Sequence, residues 1–131
     1  MKYLLDVNAL IALGFEPHEF HRRVVNWSAK NAPEIATCSI TELGFVRVLS
    51  QAARYGLSVT EAQSLLLRLK GSKAMTFRFV ADDHDLSYMP SWVKRPEQTT
   101  DGHLLELARA KRGSLATLDR RIPGAFVIPE S

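Results

Sequence analysis

The chain has 131 residues, of which 46% are hydrophobic and 24% are charged, a balance typical of a folded globular protein. This composition excludes collagen, coiled coils and disordered chains, and the length predicts a single domain over residues 1–131. The 17 basic and 14 acidic residues give a net charge of +3, which indicates a mild preference for anionic partners. One cysteine, Cys38, excludes an internal disulfide, and the chain has no apolar run long enough to span a membrane, so we expect a cytoplasmic protein.

The first half of the chain is predicted to alternate strands and helices. In chain order, the apolar and helical patterns predict a strand at residues 2–6, helices at 9–13 and 18–29, a strand at 35–38 and a helix reaching about residue 55. Asn8 is the predicted N-cap of the first helix, and Ser39 or Thr41 the predicted cap of the third.

The second half continues the alternation. It predicts a helix from 58 that ends before 71, a strand at 76–80, a polar loop at 82–98, a helix from 99 or 100 to 113, and strands at 114–119 and 125–128. Ser58 and Glu61 have the spacing of a capping box, and Thr99 or Thr100 is the predicted cap of the last helix. Strands separated by helices predict an α/β three-layer sandwich, with a central, mainly parallel sheet flanked by helices.

Four acids are predicted at the same edge of this sheet. Asp6 ends the first strand, Glu42 opens the helix after the second, Asp101 lies in the first turn of a later helix and Asp119 ends a later strand. In open α/β sheets the functional crevice lies outside the carboxyl ends of the strands. Four carboxylates converging there would raise one another's pKa values unless a cation neutralised them. An oxygen-only ligand set favours Mg²⁺ or Mn²⁺ over Zn²⁺.

Each of these acids, taken alone, also has an ordinary structural explanation. Asp6 and Asp119 suit turns at strand ends, while Glu42 and Asp101 suit the positive end of a helix dipole. It is the predicted convergence of all four that favours a metal site.

The charge balance indicates a polyanionic substrate for such a site. With the four acids set aside, 10 acidic residues remain against 17 basic ones. A divalent ion held by carboxylates can polarise a phosphodiester and activate water at neutral pH, so a metal-dependent nuclease is the leading hypothesis. A receiver-like magnesium-binding signalling module and a metal-dependent phosphatase are the alternatives.

Two groups of residues are candidate RNA contacts. Trp92, Lys94 and Arg95 combine a stacking ring with two cations, although Trp92 would serve equally to cover the core. Arg120 and Arg121 directly follow Asp119, where they would hold phosphate, pair with its carboxylate or face solvent.

The acidic run at residues 82–85 suggests a metal site, but a loop keeps such charges in water, so we expect a surface turn. His18 and His21 lack zinc-binding spacing and are expected along a helix surface.

Four segments together resemble PIN-domain ribonucleases, in particular the VapC toxins of bacterial toxin–antitoxin pairs. In family order they are residues 4–10 (LLDVNAL), 41–45 (TELGF), 99–105 (TTDGHLL) and 115–120 (LATLDR). The resemblance runs over nearly the whole chain, and the four segments are more specific together than any one alone. One departure is Gly102-His103, where many relatives have alanine and an aromatic residue, which leaves the role of His103 open.

The resemblance implies an endoribonuclease in which carboxylates hold Mg²⁺ or Mn²⁺ and activate water. The implied metal-binding and catalytic residues are Asp6, Glu42, Asp101 and Asp119, with Asn8 and Thr100 in support unless they only cap helices. It also implies a homodimer and a VapB-like antitoxin whose tail enters the active-site groove, with transfer or ribosomal RNA as the substrate. A PIN fold that binds RNA without cleaving it is a further alternative.

Overall fold

A computed structural model describes residues 2–130 of the chain. Its strands are β1 (Lys2–Leu5), β2 (Glu34–Thr37), β3 (Thr76–Phe79), β4 (Gly113–Thr117) and β5 (Phe126–Val127). Its helices are α1 (Val7–Gly14), α2 (His21–Asn31), α3 (Ser39–Gln51), α4 (Val59–Lys70) and α5 (Thr99–Ala110), with a 3₁₀ turn at Pro96–Gln98. In this described part of the chain, no helix is long and apolar enough to cross a membrane.

Within residues 2–130, the five strands form one sheet in the order β3-β2-β1-β4-β5. Every pairing between these described strands is parallel, where the sequence predicted a mainly parallel sheet. Central β1 places Leu4 opposite Ala36 of β2 and Leu115 of β4. Because all strands run the same way, their carboxyl ends meet at one edge of the sheet.

The two faces of the sheet each cover a separate core, because successive side chains of a strand point to opposite faces. Leu5 packs into the core beneath α1, α2, α3 and α4, whereas its neighbour Leu4 packs into the core beneath α5. Both leucines are almost completely buried. This arrangement is the three-layer sandwich that the sequence predicts.

Side-chain caps fix the starts of α4 and α1. Before α4, Ser58 Oγ accepts from Glu61 N at 3.0 Å and Glu61 Oε1 accepts from Ser58 N at 2.8 Å, the predicted capping box. Before α1 the predicted cap is wrong: Asp6, not Asn8, precedes the helix, and its Oδ1 accepts from Ala9 N at 2.9 Å. The helix therefore begins directly at the end of β1, and Asn8 lies exposed in its first turn.

Two further predicted caps lie inside their helices. Cys38 precedes α3, Ser39 is its first residue, and Thr41 Oγ1 accepts from Cys38 N at 3.0 Å. Thr99 and Thr100 occupy the first turn of α5, because the 3₁₀ turn before them already directs the chain into the helix. The third helix also ends earlier than predicted, at residue 51.

Gly102 allows α5 to pass close to the loop before it. A Cβ on Gly102 would lie 2.5 Å from Val93 Cγ2 and 3.0 Å from Met89 Sδ, distances at which a neighbour must move. The departure from the family pattern at this position therefore matches a close helix–loop contact.

Gly102→Ala is expected to lower the free energy of unfolding by about 1 kcal/mol, because overpacking outweighs the gain in helix propensity. In the Val93→Ala protein the same substitution is expected to cost less stability, since the shorter clash is removed and only the flexible Met89 side chain has to move. Urea unfolding of the two single variants and the double variant measures both effects. Equal effects of Gly102→Ala in the two backgrounds would contradict this contact.

Candidate active site

A groove of about 430 Å³ lies at the carboxyl edge of the sheet, where β1 and β4 end. Three of the four predicted acids line it: Asp6 follows β1, Asp101 lies in the first turn of α5, and Asp119 lies two residues after β4. The side chains of Asn8 and Thr100 line the same groove. The parallel sheet thus brings together residues from the two ends of the sequence.

Asp6 is the most buried of these acids, with 7% of its surface exposed. Its Oδ1 accepts from Ala9 N, and its Oδ2 accepts from Thr117 Oγ1 at 2.5 Å. Burial raises the pKa of Asp6 from 3.8 to about 6, and the charges of Asp101 and Asp119 add to this rise, while the two hydrogen bonds oppose it. The site therefore holds this carboxylate in a fixed orientation but disfavours its negative charge.

Asp101 and Asp119 differ in their electrostatic surroundings. Burial raises the pKa of the Asp101 carboxyl, and the nearby charge of Asp119 raises it further. Hydrogen bonds from the Arg121 side chain lower the pKa of Asp119, with Nε to Oδ1 at 3.0 Å and Nη2 to Oδ2 at 3.1 Å. Of the alternatives for Arg121, the structure shows the ion pair with Asp119.

Glu42 is not brought to this groove, contrary to the expected convergence of four acids. It lines a separate groove between α3 and α4. Its Oε2 accepts from Thr37 Oγ1 at 2.7 Å and from Lys70 Nζ at 2.6 Å. An ion pair within the protein therefore neutralises Glu42.

Helical spacing on α3 explains this separation. Ser39, Glu42 and Val46 lie at intervals of three and four residues, Leu43 is next to Glu42, and all four line the groove beside α4. Arg47 lies five residues after Glu42, so it points in a different direction and lines the groove of the three acids.

Sequence reasoning missed Arg47 as a residue of this groove. It lies three residues after Gly44, where an added Cβ would be 2.4 Å from Val7 Cγ2, so this face of α3 packs against α1. The available signal was helical spacing, which places Arg47 and the adjacent Val48 three and four residues after Gly44. This spacing locates Arg47 in the groove only once it is known that α3 packs on α1.

The other candidate RNA contacts lie outside the lining of the groove. Trp92 packs partly buried against the core beneath α5. Lys94 and Arg95 are exposed just before α5, and Arg95 Nε bonds Glu97 Oε1 at 2.8 Å. Arg120 is exposed. Their contacts with RNA remain predictions.

The acidic loop is mostly the predicted surface turn, since residues 83–85 are exposed. Asp82 differs, because its Oδ2 lies 2.6 Å from His103 Nε2 and both side chains are largely buried. This contact fastens the loop to α5 and accounts for His103.

The two other predicted surface histidines both make hydrogen bonds. His18 Nε2 lies 2.9 Å from Asn8 Oδ1, so it orients the amide of a groove residue. His21 lies in α2, and its Nδ1 is 2.7 Å from the Ala12 carbonyl.

The chemistry of the groove fits a divalent cation, although the acids do not form a compact cluster. Among residues 2–130, no three His, Cys, Asp or Glu side chains are placed to hold one metal ion together. The donors are nevertheless oxygens, and both Asp6 and Asp101 have raised pKa values, Asp101 despite the opposing charge of Arg121. A cation in the groove would relieve that cost.

Comparison with known proteins identifies the fold and the family. The PIN domain model matches residues 3–125. Ribonuclease VapC38 of Mycobacterium tuberculosis is 40% identical over 132 residues, 97% of this chain and 89% of that protein. Ribonuclease VapC44 of the same species is 37% identical over 137 residues, 95% of this chain and 94% of the relative.

Two crystal structures share the fold at lower identity. That of Mycobacterium tuberculosis VapC20, a Sarcin-Ricin loop cleaving toxin, has a TM-score of 0.61 at 14% identity and covers 98% of this chain and 99% of that one. That of VapBC2 from Rickettsia felis, bound to a fragment of promoter DNA, has a TM-score of 0.60 at 19% identity and covers 96% of both chains.

The chain therefore belongs to the PIN domain family. Within that family it is a VapC-type ribonuclease, the endoribonuclease toxin of a toxin–antitoxin system. This assignment decides in favour of the nuclease over the receiver-like and phosphatase alternatives.

Proposed function

We propose that this ribonuclease hydrolyses RNA phosphodiester bonds with Mg²⁺ or Mn²⁺ held by Asp6, Asp101 and Asp119. The observation that carries the proposal is that these three carboxylates line one groove, in which burial and the neighbouring acids disfavour the negative charge of Asp6 and Asp101. A bound divalent cation would supply polarisation of the phosphodiester and a water of lowered pKa.

The side chains of the groove have distinct roles in this proposal. Thr117 and the start of α1 orient Asp6, and the guanidinium of Arg121 orients Asp119. Asn8 and Thr100, on α1 and α5, provide neutral polar groups at the rim for water or RNA. The attacking oxygen comes from water, so no side chain becomes covalently bound to RNA.

The same proposal extends to partners and location. We expect residues 1–131 to act as one nuclease domain, as a homodimer, with a VapB-like antitoxin as its inhibitor. The likeness to VapBC2 and the family membership support the antitoxin. Exposed Lys94, Arg95 and Arg120 are the proposed phosphate contacts around the groove. We also propose a cytoplasmic location, since the cytoplasm contains the expected substrates, transfer and ribosomal RNA, and keeps the buried thiol of Cys38 reduced.

Cleavage of a mixed pool of structured RNAs by the purified chain tests the proposal. We expect cleavage with Mg²⁺ or Mn²⁺, and none with EDTA or in Asp6→Asn. Cleavage that persists in EDTA would refute the metal requirement. A protein that binds RNA and Mn²⁺ but cleaves no RNA would be the silent PIN fold.

Glu42→Gln is expected to slow cleavage by no more than about tenfold, because this carboxylate pairs with Lys70 outside the groove. The same change is expected to lower the free energy of unfolding by about 1 kcal/mol, because the partly buried Lys70 loses its ionic partner. Parallel cleavage rates and urea unfolding measure the two effects. A loss of cleavage as complete as in Asp6→Asn would instead make Glu42 a fourth metal ligand.

A further inference from the structure

The groove is lined by one basic side chain among its described residues, that of Arg47 on α3. Arg47 is exposed to solvent. No hydrogen bond or ion pair of its guanidinium is found among residues 2–130. Arg47 therefore lies in the same groove as the three carboxylates, and all five N–H donors of its guanidinium are available to a ligand.

Two other cations near the sheet edge, Arg121 and Lys70, are already paired. Arg121 holds Asp119, with Nε and Oδ1 3.0 Å apart, and Lys70 holds Glu42, with Nζ and Oε2 2.6 Å apart. A ligand that bound either cation would have to compete with a carboxylate of the protein. A ligand of Arg47 meets no such competition.

The backbone of Arg47 is fixed although its side chain is free. Phe45 and Leu49 on the same helix are completely buried in the core. Gly44 brings α3 so close to α1 that a Cβ would be 2.4 Å from Val7 Cγ2. The guanidinium thus extends from a rigid base at the wall of the groove, an arrangement suited to binding a ligand at a defined place.

We propose that Arg47 binds an RNA phosphate next to the one that is cleaved. The inference rests on the proposed function, because it assumes that the scissile phosphate lies at Asp6, Asp101 and Asp119. A polyanion entering an acidic groove is repelled unless a cation receives it, and a guanidinium can donate two parallel hydrogen bonds to phosphate. Arg47 is in this sense a substrate-binding residue.

RNA binding in an Asp101→Asn background, where cleavage is blocked, tests the role of Arg47. Adding Arg47→Met is expected to weaken binding of a labelled RNA about tenfold and to lower the slope of log affinity against log salt by about one. Arg47→Lys keeps the charge but loses the two-pronged geometry, so we expect an intermediate affinity.

Lys30→Met is the matched control, since it removes one positive charge from an exposed site on α2. We expect Lys30→Met to change RNA affinity by no more than about twofold. Thermal melting is expected to show that the protein carrying Arg47→Met is folded like the Asp101→Asn protein. In the active enzyme, Arg47→Met should raise KM more than it lowers kcat.

Equal weakening by Arg47→Met and Lys30→Met would overturn the assignment, because only total charge would then matter. Unchanged binding in Arg47→Met would overturn it as well. If the wild-type protein cleaves RNA normally in either case, the proposed function stands and only the role of Arg47 falls. A wild-type protein that neither binds nor cleaves RNA would refute both.

Discussion

Asp101→Asn is expected to abolish RNA cleavage and, at the same time, to raise the melting temperature of the metal-free protein. Cleavage falls by at least about a hundredfold, because the proposed metal site loses one of its three charges. Stability rises because burial and Asp119 raise the pKa of this carboxyl, which means that its negative charge opposes folding at neutral pH. Asparagine has nearly the same shape without the charge.

Thermal melting with EDTA and cleavage assays with Mn²⁺ measure the two effects in the same preparations. Asp85→Asn is the matched control, since Asp85 is exposed in the loop before α5 and hydrogen bonds from Ser87 lower its pKa. We expect the control to cleave RNA normally without a rise in melting temperature. A fall in the metal-free melting temperature of Asp101→Asn would contradict the electrostatic description of the groove.

The contribution of Asp6 to the stability of the metal-free protein is expected to fall as the pH rises from about 4 to about 6, because the pKa of this carboxyl is raised to about 6. Below pH 3.8 this acid is neutral in both the folded and the unfolded chain. Between the two values the unfolded chain ionises while the folded protein keeps its proton, which favours unfolding. Above about pH 6 the full cost, about 3 kcal/mol, is present.

Urea unfolding of the wild type and Asp6→Asn across this pH range isolates the contribution of Asp6, since other titrating groups are common to both proteins. The variant should gain stability relative to the wild type as the pH rises, by about 3 kcal/mol in total. Saturating Mn²⁺ is expected to reduce this difference by stabilising the ionised wild type. Stability curves that stay parallel without metal would show that Asp6 does not titrate as described.

The fold was largely predictable because it depends on an alternation of strand and helix patterns along the whole chain. Short apolar runs alternate with amphipathic helices, and a parallel sheet then places the residues after each strand at one edge. Asp6 and Asp119 come after two strands that are neighbours in the sheet, and Asp101 opens the helix before β4. These three acids meet in one groove because of the sheet topology, and the alternation of strands and helices in the sequence predicts that topology.

Side-chain direction at helix starts was not predictable in the same way. A shift of the cap from Asn8 to Asp6 is two residues in sequence, yet it decides which side chain is buried and which lies at the rim. Glu42 turns toward Lys70 because α4 packs beside α3, and the two residues are 28 positions apart. Arg47 depends likewise on a contact between α3 and α1. Local spacing alone does not reveal which helices pack together, so these pairings could not be predicted from it.

Analysis of the ends of the RNA products is the most direct test of metal-assisted hydrolysis in the groove. The proposed attack of water on phosphorus predicts a 5′-phosphate on one fragment and a 3′-hydroxyl on the other, formed only with Mg²⁺ or Mn²⁺ and absent with Asp6→Asn. Products ending in a 2′,3′-cyclic phosphate would show that the ribose 2′-hydroxyl is the nucleophile. That result would contradict the mechanism.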